Sequence, residues 1–339
     1  MTYEIEERVL HFKQPAGTSR GVYTTRKIWL VRLYEGNCYG VGECAPLPDL
    51  SFDALEDVSY SSVLNQFCED ICKKGEIDYD ALRDYPSMSF GLETALLNLQ
   101  NGDRLFDTAF SRGEVGIPIN GLVWMGNHDE MLHRLEEKLE KGFRCVKLKI
   151  GAIDFDQELD LIKRIRSCFS FHEVELRLDA NGAFPYNEAL YKLELLSQYA
   201  IHSIEQPIRQ GQWAYMAELC RESPLPIALD EELIGVNDPA MKRHMLNIIK
   251  PRYIILKPSL HGGMAGCREW IDAAKELGIS SWITSALESN IGLNAIAQFA
   301  SSVYGDHITM PQGLGTGQLF IDNIPMPLEI RNDQLWRCH

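Results

Sequence analysis

The strongest constraint on the fold of this chain is a strand-and-helix pattern that repeats at nearly constant length. From about residue 115 onward, short apolar segments rich in β-branched residues alternate with amphipathic helical segments. Polar residues end the apolar segments at spacings of 30, 26, 25, 27 and 28 residues, and they are Lys149, Asp179, Glu205, Asp230, Lys257 and Ser285. One βα unit takes about that length when eight of them fill ~200 residues. The pattern therefore predicts a parallel β/α barrel, with strands at about 117–123 and 307–312 completing the eight.

The first ~110 residues follow a different pattern. "YEIEERVLHF" and "RKIWLVRLYEG" alternate polar and apolar residues as antiparallel strands do, and "GNCYGVGECAP" continues them. Helical patterns follow at 53–73 and 91–101. We therefore predict an α+β unit ahead of the barrel.

The segment "RCVKLKIG" at 144–151 places two lysines in an otherwise apolar strand. Because strand side chains alternate between faces, Lys147 and Lys149 share one face and Val146 and Leu148 share the other. One interpretation is an edge strand with a solvated face. The barrel favours another, because the carboxyl ends of its strands converge on one rim where barrel enzymes keep their chemistry.

Three carboxylates occupy three consecutive strand ends. They are Asp179 in "LRLDANG", Glu205 in "SIEQP" and Asp230 in "ALDEE". Each alone could cap a helix or lie in a loop, but together they would repel one another unless a cation lay among them. All-oxygen ligation with open positions favours Mg²⁺, with Mn²⁺ as the alternative. The lysines of "KLK" and Lys257 flank the carboxylates along the barrel.

Charge and composition restrict the classes of partner. With 33 basic and 48 acidic residues the formal net charge is −15, which argues against nucleic acid or an anionic membrane as partner. No apolar run approaches the ~18 residues of a membrane span, and the acidic, alternating start does not resemble a targeting segment. Nine scattered cysteines indicate free thiols, so we expect a cytoplasmic protein. The oligomeric state stays open.

The motifs "KLK", "DANG", "EQP", "LDEE" and "LKPS" resemble, in order and spacing, the strand-end motifs of the enolase superfamily in its muconate-lactonising branch. The resemblance covers the whole chain. It implies an α/β fold: an α+β capping domain at 1–110 that acts as a specificity lid, a modified TIM barrel at 111–318, and a C-terminal segment at 319–339 that returns to the cap. It also implies Mg²⁺ held by the three carboxylates.

Within this branch the chain is most similar to the o-succinylbenzoate synthase family, on the motifs "GECAPLPDLS", "PSMSFGLETAL", "SALESNIGL" and "GLGTGQLF". This implies a lyase of menaquinone synthesis that removes water from 2-succinyl-6-hydroxy-2,4-cyclohexadiene-1-carboxylate. Lys149 would be the acid and base, Lys147 would lower its pKa, and Lys257 would stabilise the opposite face. Phe184 departs from the family pattern, where Trp is often found.

N-succinylamino-acid racemases and dipeptide epimerases of the same superfamily are the alternative. They resemble this chain closely and use the two lysines as acid and base on opposite faces. Dipeptide epimerases typically carry an Asp-x-Asp on the eighth strand, whereas "TMPQGLGTG" contains no acid.

The substrate is expected to be a small dicarboxylate. The residues expected to contact it are Thr284, Ser285, Gly313 and Gly315, because amides of a glycine-rich run suit an anion, although a plain turn is the other interpretation. The loop "KQPAGTSRG" at 13–21 is either a hairpin turn or, by resemblance, a lid that carries Arg20 near the substrate.

Overall fold

The structure is a computed structural model that describes residues 1–17, 21–123 and 126–338. Its first part contains an antiparallel sheet in the order β1-β2-β3 and two helices. The elements are β1 (Thr2–Gly17), β2 (Val22–Glu35), β3 (Cys38–Cys44), α1 (Asp57–Lys74) and α2 (Pro86–Asn101). The predicted α+β unit is thus present, and we refer to it as the cap.

Neither helix of the cap begins at the residue predicted from the apolar pattern. Helix α1 begins at Asp57, after turns in which the amide of Ser51 donates to Leu47 O. Helix α2 begins at Pro86, because Asp53 accepts hydrogen bonds from the amide of Ser87 and stabilises that N-terminus. Residue 53 therefore caps the second helix and does not open the first.

The rest of the chain forms a parallel sheet wrapped by helices. The sheet has seven strands among the described residues, in the order β11-β10-β9-β8-β7-β6-β5. A short strand β4 (Ile117–Pro118) precedes β5 (Gly121–Val123) and α3 (His128–Glu140). The elements that follow are β6 (Cys145–Lys149), α4 (Phe155–Cys168), β7 (Glu175–Asp179), α5 (Tyr186–Ser197), β8 (Ser203–Glu205), α6 (Trp213–Glu222), β9 (Ile227–Leu229), α7 (Pro239–Ile249), β10 (Tyr253–Leu256), α8 (Gly263–Glu276), β11 (Ser280–Ile283) and α9 (Asn290–Tyr304).

The eighth strand, predicted at 307–312, is not a regular strand. Only parallel bridges remain, from Ile119 to Gln312 and from Thr284 to Gly313. Pro311 explains the difference, because proline has no N–H to donate to a ladder. The bridges nevertheless close the barrel between β11 and the residues just before β5, since Gln312 N donates to Pro118 O at 2.8 Å and Gly313 N donates to Ile283 O at 2.9 Å.

The C-terminal residues contact both parts of the molecule. The amide of Lys13 donates to Leu319 O, and Ile321 N donates to His11 O, so the chain first lies against β1. It then forms the hairpin of β12 (Leu328–Arg331) and β13 (Gln334–Arg337), which pairs with β4.

Two hydrophobic layers fix the barrel. Residues of the strands that point outward pack beneath the helices, among them Val146, Leu148 and Ile204, each 0 % exposed. Inside, Trp282 and the guanidinium of Arg177, 4.5 Å from its ring, close the barrel below the carboxyl ends of the strands. The interior of the barrel is filled at this level, and the pocket that contains the predicted site residues lies at the upper rim. None of the helices within the described residues combines the length and apolar character that crossing a bilayer requires.

Candidate active site

The two lysines of β6 point into the barrel. Strand β6 lies between β5 and β7, so the edge-strand interpretation is wrong. Lys149 is paired in register with Asp179 on β7, and neighbouring residues in register project to the same face. Lys147 lies one step lower on that face, while Val146 and Leu148 are buried against the helices.

The three predicted metal ligands lie side by side. Asp179 is paired with Glu205 on β8, and Asp230 directly follows β9. Their exposed fractions are 1 %, 2 % and 1 %. The ammonium of Lys147 is 2.9 Å from Asp179 Oδ2 and 2.5 Å from Glu205 Oε2, and the ammonium of Lys257 contacts Asp230 Oδ2. The sequence-predicted ligands and lysines are thus brought together in one cluster.

Burial and charge pairing set the protonation of the cluster. Burial lowers the pKa of Lys147, but Asp179, Glu205 and Asp230 raise that pKa by more, and the pKa of Lys257 is likewise raised by Asp230 against burial. Burial acts to raise the pKa of Asp179 and of Asp230, yet Lys147 and Lys257 respectively bring each below its ordinary value. The pKa of Glu205 is raised well above its usual range by burial and by Asp179.

The donor set fits a divalent cation. Glu205 Oε1 and Asp230 Oδ1 are buried and accept no hydrogen bond from any described residue. Buried carboxylate oxygens without donors are costly unless a cation meets them, and oxygen ligands suit Mg²⁺. Among the described residues no set of three or more Asp, Glu, His or Cys side chains is arranged as a formed metal site, and the ammonium groups of Lys147 and Lys257 lie against Glu205 and Asp230.

Polar residues beside the cluster were not singled out by the sequence analysis. Asn181 accepts from the ammonium of Lys149 at 3.0 Å and donates to Glu231 Oε1 at 2.9 Å. Gln206 Oε1 accepts from the amide of Asp230 at 3.3 Å. Each of these residues follows a predicted metal ligand by one or two positions, inside the quoted motifs. This proximity in sequence was the signal that could have identified them.

A pocket opens above the cluster. The cap contributes Leu47 and Leu50 to its wall, and the barrel contributes Ala286 and Leu287. The pocket is lined by most of the predicted site residues, namely Lys147, Lys149, Asp179, Asp230, Lys257, Thr284, Ser285, Gly313 and Gly315. Glu205 lies beneath this lining, and Arg20 falls outside the described residues.

The residues predicted to contact the substrate differ in whether their hydroxyl and amide groups already make hydrogen bonds within the protein. Thr284 Oγ1 donates to Gly313 O at 2.9 Å, and Ser285 Oγ lies 2.5 Å from Thr316 Oγ1. The amide of Gly313 is used for barrel closure, so the expected anion contact is not supported at that amide. Within the described residues, the amide of Gly315 donates to no backbone carbonyl, which leaves it available.

Known families and structures match this chain. The family model "Enolase C-terminal domain-like" matches residues 130–332, and "MenC, N-terminal domain" matches residues 18–99. A relative from Desulfotalea psychrophila named o-succinylbenzoate synthase is 46 % identical over 95 % of both chains. The crystal structure of MenC from that organism has a TM-score of 0.82 at 42 % identity and covers 99 % of both chains.

A more distant structure shows the fold alone. It is the dipeptide epimerase from Enterococcus faecalis complexed with Mg and L-Leu-L-Tyr, with a TM-score of 0.84 at 18 % identity, covering 100 % of this chain and 96 % of that one.

The predicted fold class and family are confirmed by these matches. A capped, modified β/α barrel accounts for the architecture, and the match to the relative extends over nearly the whole chain. The chain belongs to the o-succinylbenzoate synthase family of the enolase superfamily.

Proposed function

We propose that this chain catalyses the Mg²⁺-dependent loss of water from 2-succinyl-6-hydroxy-2,4-cyclohexadiene-1-carboxylate, giving 2-succinylbenzoate in menaquinone synthesis. The observation that carries the proposal is the row of three buried carboxylates with lysines at both ends, all at one rim of the barrel. The 46 % identical relative named o-succinylbenzoate synthase supports this reaction in particular.

Asp179, Glu205 and Asp230 would hold the Mg²⁺, with Mn²⁺ as the alternative. When bound, the ion would attract the ring carboxylate of the substrate and make the neighbouring C–H more acidic. The unpartnered oxygens of Glu205 and Asp230 support this assignment.

Lys149 would carry out both proton transfers of the reaction. As a neutral amine it takes the proton from the ring carbon next to the carboxylate, and as an ammonium it returns that proton to the departing hydroxide, so water leaves and the ring becomes aromatic. Its hydrogen bond to Asn181 would hold the amine at the pocket wall. One base is enough, because aromatisation favours the product.

Lys147 and Lys257 would act through their charges. Lys147 lies between Asp179 and Glu205, where its ammonium would contact the substrate carboxylate. Lys257 lies at the opposite end of the row, where its ammonium would stabilise negative charge on the other face of the ring.

The distal carboxylate would lie near the turn after the barrel closure. The amide of Gly315 and the hydroxyls of Thr284 and Ser285 are in the pocket wall there. Gly313 would shape this wall without donating its amide. The position of Arg20 near the substrate stays a prediction. The division into a lid at 1–110, a barrel at 111–318 and a tail at 319–339 also stays a prediction.

We also propose a cytoplasmic location. All nine cysteines are free in the structure, although Cys68 and Cys72 lie one helical turn apart on α1. Free thiols persist in a reducing compartment.

The proposal is tested with purified protein, Mg²⁺ and the cyclohexadiene substrate. We expect its absorbance to disappear with formation of 2-succinylbenzoate, and we expect chelation by EDTA to stop the reaction until Mg²⁺ is restored. An unchanged diene in the presence of Mg²⁺ would refute the proposed function.

A further inference from the structure

The ceiling of the pocket is built from two loops that meet across the junction of cap and barrel. One loop follows β3 and brings Leu47 and Leu50 to the pocket. The other follows β11 and brings Ala286 and Leu287. We call these four residues the ceiling. Their relative position decides how much room a substrate has above the lysines.

A buried arginine joins the two loops. Arg26 on β2 is 2 % exposed. Its guanidinium donates to Ala45 O and Pro46 O on the cap side, and on the barrel side to Leu287 O at 3.3 Å and Ala286 O at 3.5 Å. A guanidinium presents five N–H donors in a rigid fork, whereas a lysine ammonium has three on one atom and cannot span this arrangement.

Buried carboxylates hold the same barrel loop from its other side. Glu288 accepts from the amide of Ala286 at 2.7 Å and from Ser259 Oγ. Glu43, from the cap, accepts from the amides of Ser289 at 2.8 Å and Gly292 at 2.9 Å. The loop is thus fixed through both its carbonyls and its amides.

The fixed loop has an unfavourable backbone conformation. Leu287 has φ of 66°, in the left-handed region that side chains other than glycine rarely adopt. Such a conformation is unfavourable and persists only where the surrounding contacts determine it. The carbonyl of this residue is one that Arg26 holds.

We propose that Arg26 is a positioning residue that sets the ceiling and thereby the fit of the substrate's ring and tail, an inference that rests on the proposed function. Thr284 and Ser285 directly precede the held segment, so a shift of the loop would move two of the proposed substrate contacts. A displacement of about 1 Å near a reacting group can cost on the order of 10²-fold in rate.

The test compares Arg26→Met and Arg26→Lys with the control Arg32→Met. Arg32 also lies on β2, but it pairs with Glu6 and lies outside the pocket lining. Hydrogen exchange of residues 285–292 measures the loop directly, Mn²⁺ titration measures the metal site, and kcat and KM for the cyclohexadiene measure substrate fit.

We expect Arg26→Met to speed exchange in 285–292, to raise KM about 10-fold or more, and to leave Mn²⁺ affinity within about 2-fold. Arg26→Lys should recover part of the loss, and Arg32→Met should behave like the unchanged protein. Faster loop exchange with unchanged kinetics would make Arg26 merely structural and overturn the proposal. Unchanged loop exchange, or global unfolding of both Arg26 variants, would also overturn it. If the unchanged protein does not dehydrate the diene, the proposed function fails, while exchange still reports whether Arg26 holds the loop.

Discussion

Lys147 and Lys149 stand one residue apart on β6, yet their surroundings differ. Lys147 lies between two carboxylates, whereas Lys149 reaches the amide oxygen of Asn181 and stays 3.7 Å from Asp179 Oδ2. At the residue scale this difference supports different proposed roles for the two lysines. The ammonium of Lys147 is fixed by its two carboxylate partners, and we propose Lys149 as the lysine that exchanges protons with a substrate.

Replacing Lys149 by Ala should abolish turnover. Loss of one general base typically costs about 10²–10⁴-fold, and loss of a residue that carries out both proton transfers should exceed that range. The measurement is the steady-state rate of Lys149→Ala beside that of the control Lys163→Ala. Lys163 is an exposed lysine on α4. Comparable rates in the two variants would place the base elsewhere.

Replacing Asp230 by Asn should weaken metal binding. The change removes a ligand charge and leaves the Lys257 ammonium without its partner. Titration with Mn²⁺ followed by electron paramagnetic resonance should show at least about a 10-fold rise in Kd, since metal affinity follows ligand charge. Asp156→Asn, an exposed change on α4, is the control. Equal Mn²⁺ affinity in both variants would remove Asp230 from the ligand set.

The side chains at strand ends could be predicted from the sequence, because strand periodicity and barrel topology place them without knowledge of other contacts. Arg26 could not, because its role depends on carbonyls from two distant loops. The same holds for Glu231, whose partner Asn181 lies on a different strand end.

At the scale of elements, the segment that replaces the eighth strand forms the seam at which the barrel closes. A helix or strand pattern can be predicted from the sequence. Whether the segment around Pro311 forms a regular hydrogen-bonded strand depends on the strands that lie beside it, and these are not evident from the sequence. Closure instead relies on a few hydrogen bonds around Gly313. The start of α2 was missed for a similar reason, since its capping residue Asp53 comes from another segment.

Gly313→Ala should open this seam. A Cβ at Gly313 would lie 2.0 Å from Thr284 Oγ1 and 3.1 Å from its Cα, so strand and segment must separate. We expect the free energy of unfolding in urea to fall by about 1–3 kcal/mol. In Gly315→Ala the nearest atom is 3.4 Å away, so that variant should unfold as the unchanged protein does. Equal loss in both variants would contradict the packing argument.

Glu93 makes the junction of α2 and α8 sensitive to pH. Its carboxylate accepts from the amides of Met264 at 2.5 Å and Ala265 at 2.9 Å, while burial raises its pKa from 4.5 to about 8. The folded state therefore binds this proton more tightly than the unfolded state. Its contribution to stability is complete below the unfolded pKa and is lost as pH rises through about 8.

Unfolding of Glu93→Gln should consequently depend less on pH than unfolding of the unchanged protein. The difference in slope is at most about 1.4 kcal/mol per pH unit for one proton. Urea titrations at pH 5 and pH 8 measure it, with Glu69→Gln on the exposed side of α1 as control. Parallel pH profiles for Glu93→Gln and the unchanged protein would be inconsistent with a proton held at Glu93.

At the scale of the whole molecule, the cap and the barrel form one pocket that neither part contains alone. The barrel supplies the charged rim, and the cap supplies Leu47 and Leu50 above it. The strand-end motifs of this rim resemble those of racemases and epimerases of the same superfamily, so we propose that the shape and charge of the pocket decide the reaction. The turn at 309–318, which contains no acid, favours an anionic tail over the ammonium of a dipeptide.

We propose that this pocket carries out dehydration and not epimerisation. Proton nuclear magnetic resonance in D₂O, with Mg²⁺ and either the cyclohexadiene or L-Ala-L-Glu, tests it most directly. We predict rapid appearance of the aromatic signals of 2-succinylbenzoate and negligible deuterium at the dipeptide α-carbons. Slow exchange at an N-succinylamino acid is compatible with lysines on both faces of the site. Rapid deuterium incorporation into the dipeptide, with no aromatic product from the diene, would contradict the account.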